Sequence, residues 1–274
     1  MTSSRLSTSH GVDLEVLVAG AGEPVTVFAH GLGCTIPETR PLGSGVTGTR
    51  VFFAFRGHGG STTPETGWDY GELARDLSAV ADAHGATRAV ATSMGAGALL
   101  RLLAAEPARF ERSVFFLPAV LDVRRGPEIH RELARLADAL RAGDAAAVTD
   151  LVRAELPDPV RDTPTGAAFV RQRVTALVGS GVATALATLP GQVPLSGGAD
   201  VLRAVEAPAL VLACRGDPLH PVPVAERLAE LLPAATLHVY DEPAVLWNQR
   251  ADLRRRIAGF LEGRRAPVVE QLQL

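Results

Sequence analysis

The sequence alternates short apolar runs with stretches of helical spacing, and this alternation restricts the fold more than any other feature. Val25–Ala29 and Val51–Phe55 are β-branched and aromatic runs bounded by glycine-rich loops, which is typical of buried strands. Residues 70–84 place apolar side chains at 73, 77, 80 and 81, which predicts a helix. Strands that alternate with helices predict a mostly parallel sheet with helices on both faces.

The rest of the chain continues this α/β pattern. Asp13–Val18 alternates polar and apolar residues and predicts an edge strand. Further strands are predicted at residues 89–92, 113–117, 209–213 and 236–240, and further helices at 94–105, 224–232 and 253–261.

Between residues 122 and 200 the strand signal disappears and helical spacing is continuous, interrupted by prolines 157, 164 and 190. Amphipathic helices are predicted at 128–141 and 166–178, and the arginines at 124, 125, 171 and 173 are expected on solvated surface. We therefore predict an α/β core at 1–121 and 201–264, an inserted helical cap or lid at 122–200, and a loose tail at 265–274.

Composition excludes several chemistries. The chain contains no lysine, so it can form neither a lysine Schiff base nor a Walker phosphate loop. The net charge of −3 does not indicate a basic surface of the kind that binds nucleic acid. The sequence contains no H-E-x-x-H, no paired C-x-x-C and no G-x-G-x-x-G, so we expect no metal and no cofactor.

The same sequence predicts a cytoplasmic location. Its two cysteines, Cys34 and Cys214, cannot make a disulfide framework and are expected to be inert small hydrophobes. The first residues lack the apolar region of a signal peptide, and no apolar run approaches the length of a membrane span.

The sharpest local signal is the segment Ala89–Gly97, which reads A-V-A-T-S-M-G-A-G. A serine between a strand and a helix, with small neighbours, is typical of a nucleophile elbow, where the helix N-terminus faces a developing oxyanion. Ala91 stands where the strict G-x-S-x-G pattern has its first glycine. The simpler alternative is that Ser93 caps the helix.

Two glycine-rich loops follow predicted strands. The first, His30-Gly31-Leu32-Gly33-Cys34, exposes backbone amides, and the amide of Leu32 together with that of Met94 could form a two-donor oxyanion hole. The second reads F-R-G-H-G-G-S from residue 55, and we expect its His58 to pack structurally.

Together, the HGLG loop, the FRGHGGS loop, the TSMGAG elbow and the later stretch VLACRGDPLHPVPVAERLAELLP resemble the α/β-hydrolase family over nearly the whole chain. The resemblance implies that fold, with a helical cap where the insertion falls. It implies Ser93 as the nucleophile, Leu32 and Met94 as oxyanion donors, and Asp217 as the triad acid, with Asp122 as an alternative.

One departure from that family bears directly on the mechanism. The family's catalytic histidine follows the last strand, which would be near Pro243 or Ala244, and neither is a histidine. His220, three residues after Asp217, is a candidate base, and His238 is another. Asp241 and Glu242 sit in the loop itself, where a carboxylate of raised pKa can act as a base.

Three functions remain open from the sequence. The first is a serine hydrolase that cleaves an ester, thioester or lactone of a small apolar substrate, since the cap is rich in Leu, Val and Ala. The second is a non-hydrolytic cyclase, lyase or isomerase on the same fold. The third is a catalytically degenerate protein that binds a ligand in the cap cavity.

Overall fold

A computed structural model describes residues 3–178 and 180–264, so the predicted loose tail at 265–274 lies outside the described residues. The described residues form one sheet of eight strands. In chain order the strands are β1 Ser4–Ser7, β2 Asp13–Ala19, β3 Val25–Ala29, β4 Thr49–Phe53, β5 Arg88–Thr92, β6 Arg112–Phe116, β7 Ala209–Cys214 and β8 Ala235–Tyr240.

Eleven α-helices accompany the sheet in the described part of the chain. They are α1 Ile36–Thr39, α2 Tyr70–His84, α3 Met94–Ala105, α4 Pro127–Arg141, α5 Ala145–Ala154, α6 Asp158–Arg161, α7 Pro164–Val178, α8 Val182–Thr188, α9 Val222–Leu231, α10 Val245–Asn248 and α11 Arg250–Leu261. Short 3-10 turns occupy Arg40–Gly43, Leu189–Gly191 and Ala199–Ala204.

The sheet confirms the predicted mostly parallel α/β architecture. Its strand order is β1-β2-β4-β3-β5-β6-β7-β8, and every pair from β4 to β8 is parallel. The prediction that residues 13–18 form an edge strand is wrong, because β1 pairs antiparallel on the outside of β2. The short polar β1, Ser-Arg-Leu-Ser, carries too little apolar alternation to be recognised from sequence.

Helices cover both faces of the sheet because successive strand residues point to opposite sides. Val27 packs into the cluster that contains the buried leucines of α2 and α3, whereas its neighbour Phe28 packs into the cluster that contains α11. Phe28 stacks on Phe52 of β4 with ring centroids 4.6 Å apart. Both faces are therefore closed, and the loops at the strand ends are left to build a site.

Helices α4–α8 lie between β6 and β7 in the chain, and α4, α5, α7 and α8 share a separate apolar cluster. Leu32, Phe169 and Trp247 pack at the margin of this cluster, and Leu32 also contacts the main core. The limits of 122 and 200 for a cap remain a prediction. Among the described residues, no single helix is long and apolar enough to cross a membrane, although Pro164–Val178 and Val182–Gly191, bent by 85°, reach the required length and composition when taken together.

Candidate active site

Ser93 occupies a sharp turn between β5 and α3. Its backbone has φ 50° and ψ −108°, a strained conformation for a residue with a side chain. The turn is held because the Ser93 amide donates to the carbonyl of Phe116 at 3.0 Å. Gly95 allows α3 to approach β3, since a Cβ there would lie 2.7 Å from the carbonyl oxygens of Ala29 and His30. The segment thus has the geometry of a nucleophile elbow.

The loop after β3 lies directly beside this serine. A Cβ built on Gly31 would stand 3.4 Å from the Cβ of Ser93. Met94 is the first residue of α3, where backbone N–H groups have no acceptor within the helix. Within the described part of the chain, neither the Leu32 nor the Met94 amide donates to another protein group. Both amides are therefore available as donors beside Ser93.

Two buried histidines brace this loop in their neutral forms. His30 donates from Nδ1 to the carbonyl of Gly31 at 2.7 Å, and its Nε2 accepts from the Phe55 amide at 2.9 Å. His58 donates from Nδ1 to the carbonyl of Arg56, and its Nε2 accepts from the Gly33 amide at 3.1 Å. Burial lowers the pKa of His30 to about 4 and that of His58 to about 3. His58 is thus engaged structurally.

The turn after β7 brings an acid and a base together. Asp217 begins it, Pro218 follows, and the His220 amide donates to the Asp217 carbonyl at 3.3 Å. The Asp217 Oδ1 also accepts from the Leu219 amide at 2.9 Å. Aspartate followed by proline favours such a turn, because the carboxylate accepts from the backbone and the ring fixes φ. The turn folds the His220 ring back over the Asp217 carboxylate.

His220 connects this carboxylate to the serine. Its Nδ1 donates to Asp217 Oδ2 at 2.8 Å, and its Nε2 lies 2.9 Å from the Oγ of Ser93. Burial by itself would raise the pKa of Asp217, but the hydrogen bond and charge of His220, with two backbone amides, hold that pKa below its ordinary value. The carboxylate is therefore ionised at neutral pH, and the three side chains form a continuous hydrogen-bonded chain.

The other sequence candidates lie elsewhere. Asp122 accepts a bidentate pair of bonds from Arg227, both 2.7 Å, and a third from the Ala199 amide. His238 stacks edge-on against Tyr240 with centroids 4.5 Å apart, in an open groove beside β8. Asp241 and Glu242 are exposed in the loop after β8, with Asp241 paired loosely to Arg215. The structure does not bring these four residues to Ser93.

The loop after β8, where the family resemblance places a histidine, packs against α7, one of the helices between β6 and β7. Ala244 adopts φ 59° and precedes α10. The indole of Trp247 on α10 meets the ring of Phe169 on α7 edge-to-face, with centroids 5.3 Å apart. The segment thus carries an aromatic contact to α7 at the place where the family resemblance expects a base.

The expectation that Arg173 lies on solvated surface is wrong. This α7 residue is buried, and its NH1 donates to the Gly33 carbonyl at 3.1 Å and to the Cys34 Sγ at 3.2 Å. Its Nε lies 3.3 Å from Oε2 of Glu155, the residue that follows α5. Periodicity does not detect such a residue, because a long-range partner in the loop after β3 determines its burial.

Comparisons with known proteins identify the family and the fold. A family model described as the alpha/beta hydrolase family matches residues 26–254. No curated protein matches the chain. Among solved structures, the chain is similar to an esterase (EaEST) from Exiguobacterium antarcticum, at a TM-score of 0.78 and 18% identity, covering 95% of this chain and 100% of that one.

Two further solved structures superpose equally well. The enol-lactonase from Burkholderia xenovorans LB400 gives a TM-score of 0.78 at 21% identity, covering 94% of this chain and 100% of that one. The bromoperoxidase from Bacillus anthracis gives 0.78 at 15% identity, covering 95% and 100%. At these identities the likeness concerns the fold, and it confirms the architecture expected from the motifs.

Proposed function

The chain belongs to the α/β-hydrolase family, and from that premise we propose that it is a serine hydrolase cleaving an ester, thioester or lactone bond of a small apolar substrate. The observation that carries this proposal is the hydrogen-bonded chain from Asp217 through His220 to Ser93, with distances of 2.8 and 2.9 Å. A hydroxyl is a weak nucleophile and needs an adjacent base, and this arrangement supplies one.

In the acylation step, the Ser93 Oγ attacks the substrate carbonyl carbon while His220 Nε2 takes the hydroxyl proton. Asp217 holds the tautomer in which Nδ1 carries hydrogen, and its charge stabilises the imidazolium that forms. Collapse of the tetrahedral intermediate breaks the bond to the leaving alcohol or thiol. His220 returns its proton to that group, which leaves an acyl ester on Ser93.

In the deacylation step, water takes the place of the leaving group. His220 removes a proton from the water as its oxygen attacks the acyl carbon, and the proton then passes to the Ser93 Oγ as the ester bond breaks. The products are a carboxylic acid and free enzyme. A lactone follows the same route, with its own hydroxyl remaining tethered to the acyl chain.

The amides of Leu32 and Met94 are proposed as the donors to the oxyanion. Neither amide donates a hydrogen bond to another group of the described protein. Met94 is the first residue of helix α3, and the helix dipole favours negative charge at that end. Leu32 and Leu177 also present apolar side chains beside the loop, in accord with an apolar substrate.

A hydrolase accounts for the site better than the two alternatives do. The sequence left a non-hydrolytic catalyst and a degenerate binding protein open because no histidine follows the last strand. His220 supplies an imidazole at hydrogen-bonding distance from Ser93, from another loop. The esterase from Exiguobacterium antarcticum and the enol-lactonase from Burkholderia xenovorans LB400, which have the same fold, support the same class of reaction.

Hydrolysis of p-nitrophenyl acetate and butyrate, with fluorophosphonate labelling followed by peptide mass spectrometry, tests this proposal. We expect turnover and labelling at Ser93, and loss of both in Ser93→Ala. Ser4→Ala is a matched control on the exposed β1 and should behave as wild type. Turnover that survives Ser93→Ala, or a wild-type protein that neither turns over nor is labelled, would overturn the proposal.

A further inference from the structure

Arg173 is the buried cation nearest to the proposed oxyanion loop in the described contacts. Its guanidinium, on cap helix α7, is joined to the loop by the bond from NH1 to the Gly33 carbonyl. Glu155 faces its Nε at 3.3 Å, and Cys34 offers the sulfur as a second acceptor. A guanidinium keeps its charge under all ordinary conditions, so a permanent positive charge sits behind the loop.

The Gly33 carbonyl is the end of a hydrogen-bonded chain of peptide groups. The carbonyl of Gly33 and the amide of Cys34 belong to one peptide unit, and the Cys34 amide donates to the Gly31 carbonyl at 3.0 Å. The Gly31 carbonyl and the Leu32 amide in turn belong to one peptide unit. In a trans peptide the C=O and N–H point in opposite directions, so fixing each carbonyl aims the next amide.

We propose that Arg173 is a positioning residue that orients and polarises the Leu32 amide through this chain. The bonds run from the Arg173 guanidinium to the Gly33 carbonyl, from the Cys34 amide to the Gly31 carbonyl, and from the Leu32 amide to the oxyanion. The inference rests on the proposed function, because that function assigns the Leu32 amide to the oxyanion.

Two physical effects support this role. A hydrogen bond from an ionised donor is stronger than a neutral one, and linked hydrogen bonds polarise one another in the same direction. Each peptide group in the chain therefore gains dipole, and the Leu32 N–H becomes a stronger donor.

His30 is a neutral donor to the same chain of peptide groups, and it can be compared with the charged Arg173. Its Nδ1 donates to the same Gly31 carbonyl at 2.7 Å, but its imidazole is neutral because burial lowers its pKa to about 4. The Gly31 carbonyl therefore accepts from the neutral His30 imidazole and from the Cys34 amide, whose own peptide group is hydrogen-bonded to the Arg173 cation. Loss of Arg173 should weaken the Leu32 donor without releasing the Gly31 peptide, so the loop keeps its shape.

Steady-state kinetics of Arg173→Met and Arg173→Lys test the proposal, with Arg171→Met as control on the exposed side of the same helix. We expect Arg173→Met to lower kcat about tenfold, a fraction of the loss seen when an oxyanion donor is removed entirely. KM should stay within about twofold, because the chain acts on the transition state. Arg173→Lys should restore most of kcat, and Arg171→Met should match wild type.

An amide NMR spectrum gives a readout that does not need activity. In Arg173→Met, the amide protons of Cys34 and Leu32 should shift upfield, whereas Arg171→Met should leave them unchanged. The proposal is overturned if kcat of Arg173→Met equals wild type, if KM rises and stability falls together without rescue by lysine, or if those amide protons do not move. A wild-type protein without turnover or labelling would instead remove the proposed function.

Discussion

Asp217 Oδ2 and His220 Nδ1 are hydrogen-bonded at 2.8 Å within a single backbone turn. The proposed acid and base therefore both lie in the loop that follows β7. The serine that they serve lies 127 positions earlier in the chain, at the end of β5. The relative position of acid and base is therefore fixed by local chain geometry. Only the meeting with Ser93 depends on the register between β5, β6 and β7.

The first prediction concerns this pair. His220→Ala should reduce kcat for p-nitrophenyl butyrate by about 10⁴-fold or more, and Asp217→Asn by about 10⁴-fold, because each removes a member of the proton-transfer unit. Asp122→Asn is the matched control and should keep wild-type kcat, since Asp122 bonds Arg227 instead. A larger loss of kcat in Asp122→Asn than in Asp217→Asn would show that Asp217 is not the triad acid.

The second prediction concerns the loop after β8. His238→Ala, Asp241→Asn and Glu242→Gln should each leave kcat and KM within about twofold of wild type, because their side chains face a surface groove or solvent. Parallel assays at several pH values check this expectation. If any of these variants lost most of its activity, His220 would not be the general base.

The third prediction concerns a buried ion pair beneath the FRGHGGS loop. Arg56 donates to both carboxylate oxygens of Asp76, and His10 bonds the same carboxylate at 2.8 Å. Asp76→Ala should lower the free energy of unfolding by about 3 kcal/mol, because it leaves the buried Arg56 guanidinium with only the partly exposed Glu72 as an ionic partner. Asp82→Ala removes an exposed partner of Arg109 and should cost less than about 1 kcal/mol. Urea denaturation of the two variants would compare these losses directly.

The fourth prediction concerns pH. Buried His58 has its pKa lowered to about 3, first by desolvation and then by the neighbouring His30 and Arg173. The unfolded chain therefore binds a proton below about pH 6.5 that the folded chain does not, so stability falls as pH drops from 6.5 toward 4. This histidine alone should cost about 2 kcal/mol between pH 7 and pH 5.

His58→Gln tests that linkage, because glutamine can still accept from the Gly33 amide but does not titrate. Its free energy of unfolding should decline less than that of wild type over the same pH interval in urea melts. His130→Gln, on the cap helix α4, is the control and should follow the wild-type curve. Equal pH slopes for His58→Gln and wild type would contradict the assigned cause.

The fifth prediction concerns the contact between Phe169 and Trp247. A double-mutant cycle with Phe169→Ala and Trp247→Ala should give a coupling energy of about 0.5–1.5 kcal/mol, as expected for an edge-to-face aromatic pair. Unfolding monitored by far-UV circular dichroism gives the free energies of unfolding of wild type, the two single variants and the double variant. Strictly additive losses would show that α10 and α7 do not support one another in solution.

The α/β framework was predictable from the sequence because buried parallel strands are continuous apolar runs and the helices repeat at 3.6 residues. Val25–Ala29 has the predicted bounds, and Tyr70–His84 and Met94–Ala105 are both helices. The small elements were not predictable. β1 has a single apolar residue and α10 is only four residues long, so neither shows a periodicity of its own and their packing partners decide their structure.

The serine turn and the glycine loop were recognisable because each needs particular small residues at fixed positions. The proximity of His220 to Ser93 was harder to predict from the sequence, because it depends on the spacing of strands across the sheet. Asp217-Pro218-Leu219-His220 nevertheless carried a usable local signal, because aspartate and proline begin a turn that returns the fourth side chain to the first. Arg173 had no such signal in its own helix.

Because the proposed acid and base both precede Pro221, the last fifth of the chain carries no member of the proposed catalytic unit. Changes in the loop at 241–249 would alter the contact between Trp247 and Phe169, but they would leave the spacing of Asp217 and His220 untouched. A chain with this arrangement can vary that loop without losing its base, whereas a protein with its imidazole in the loop cannot.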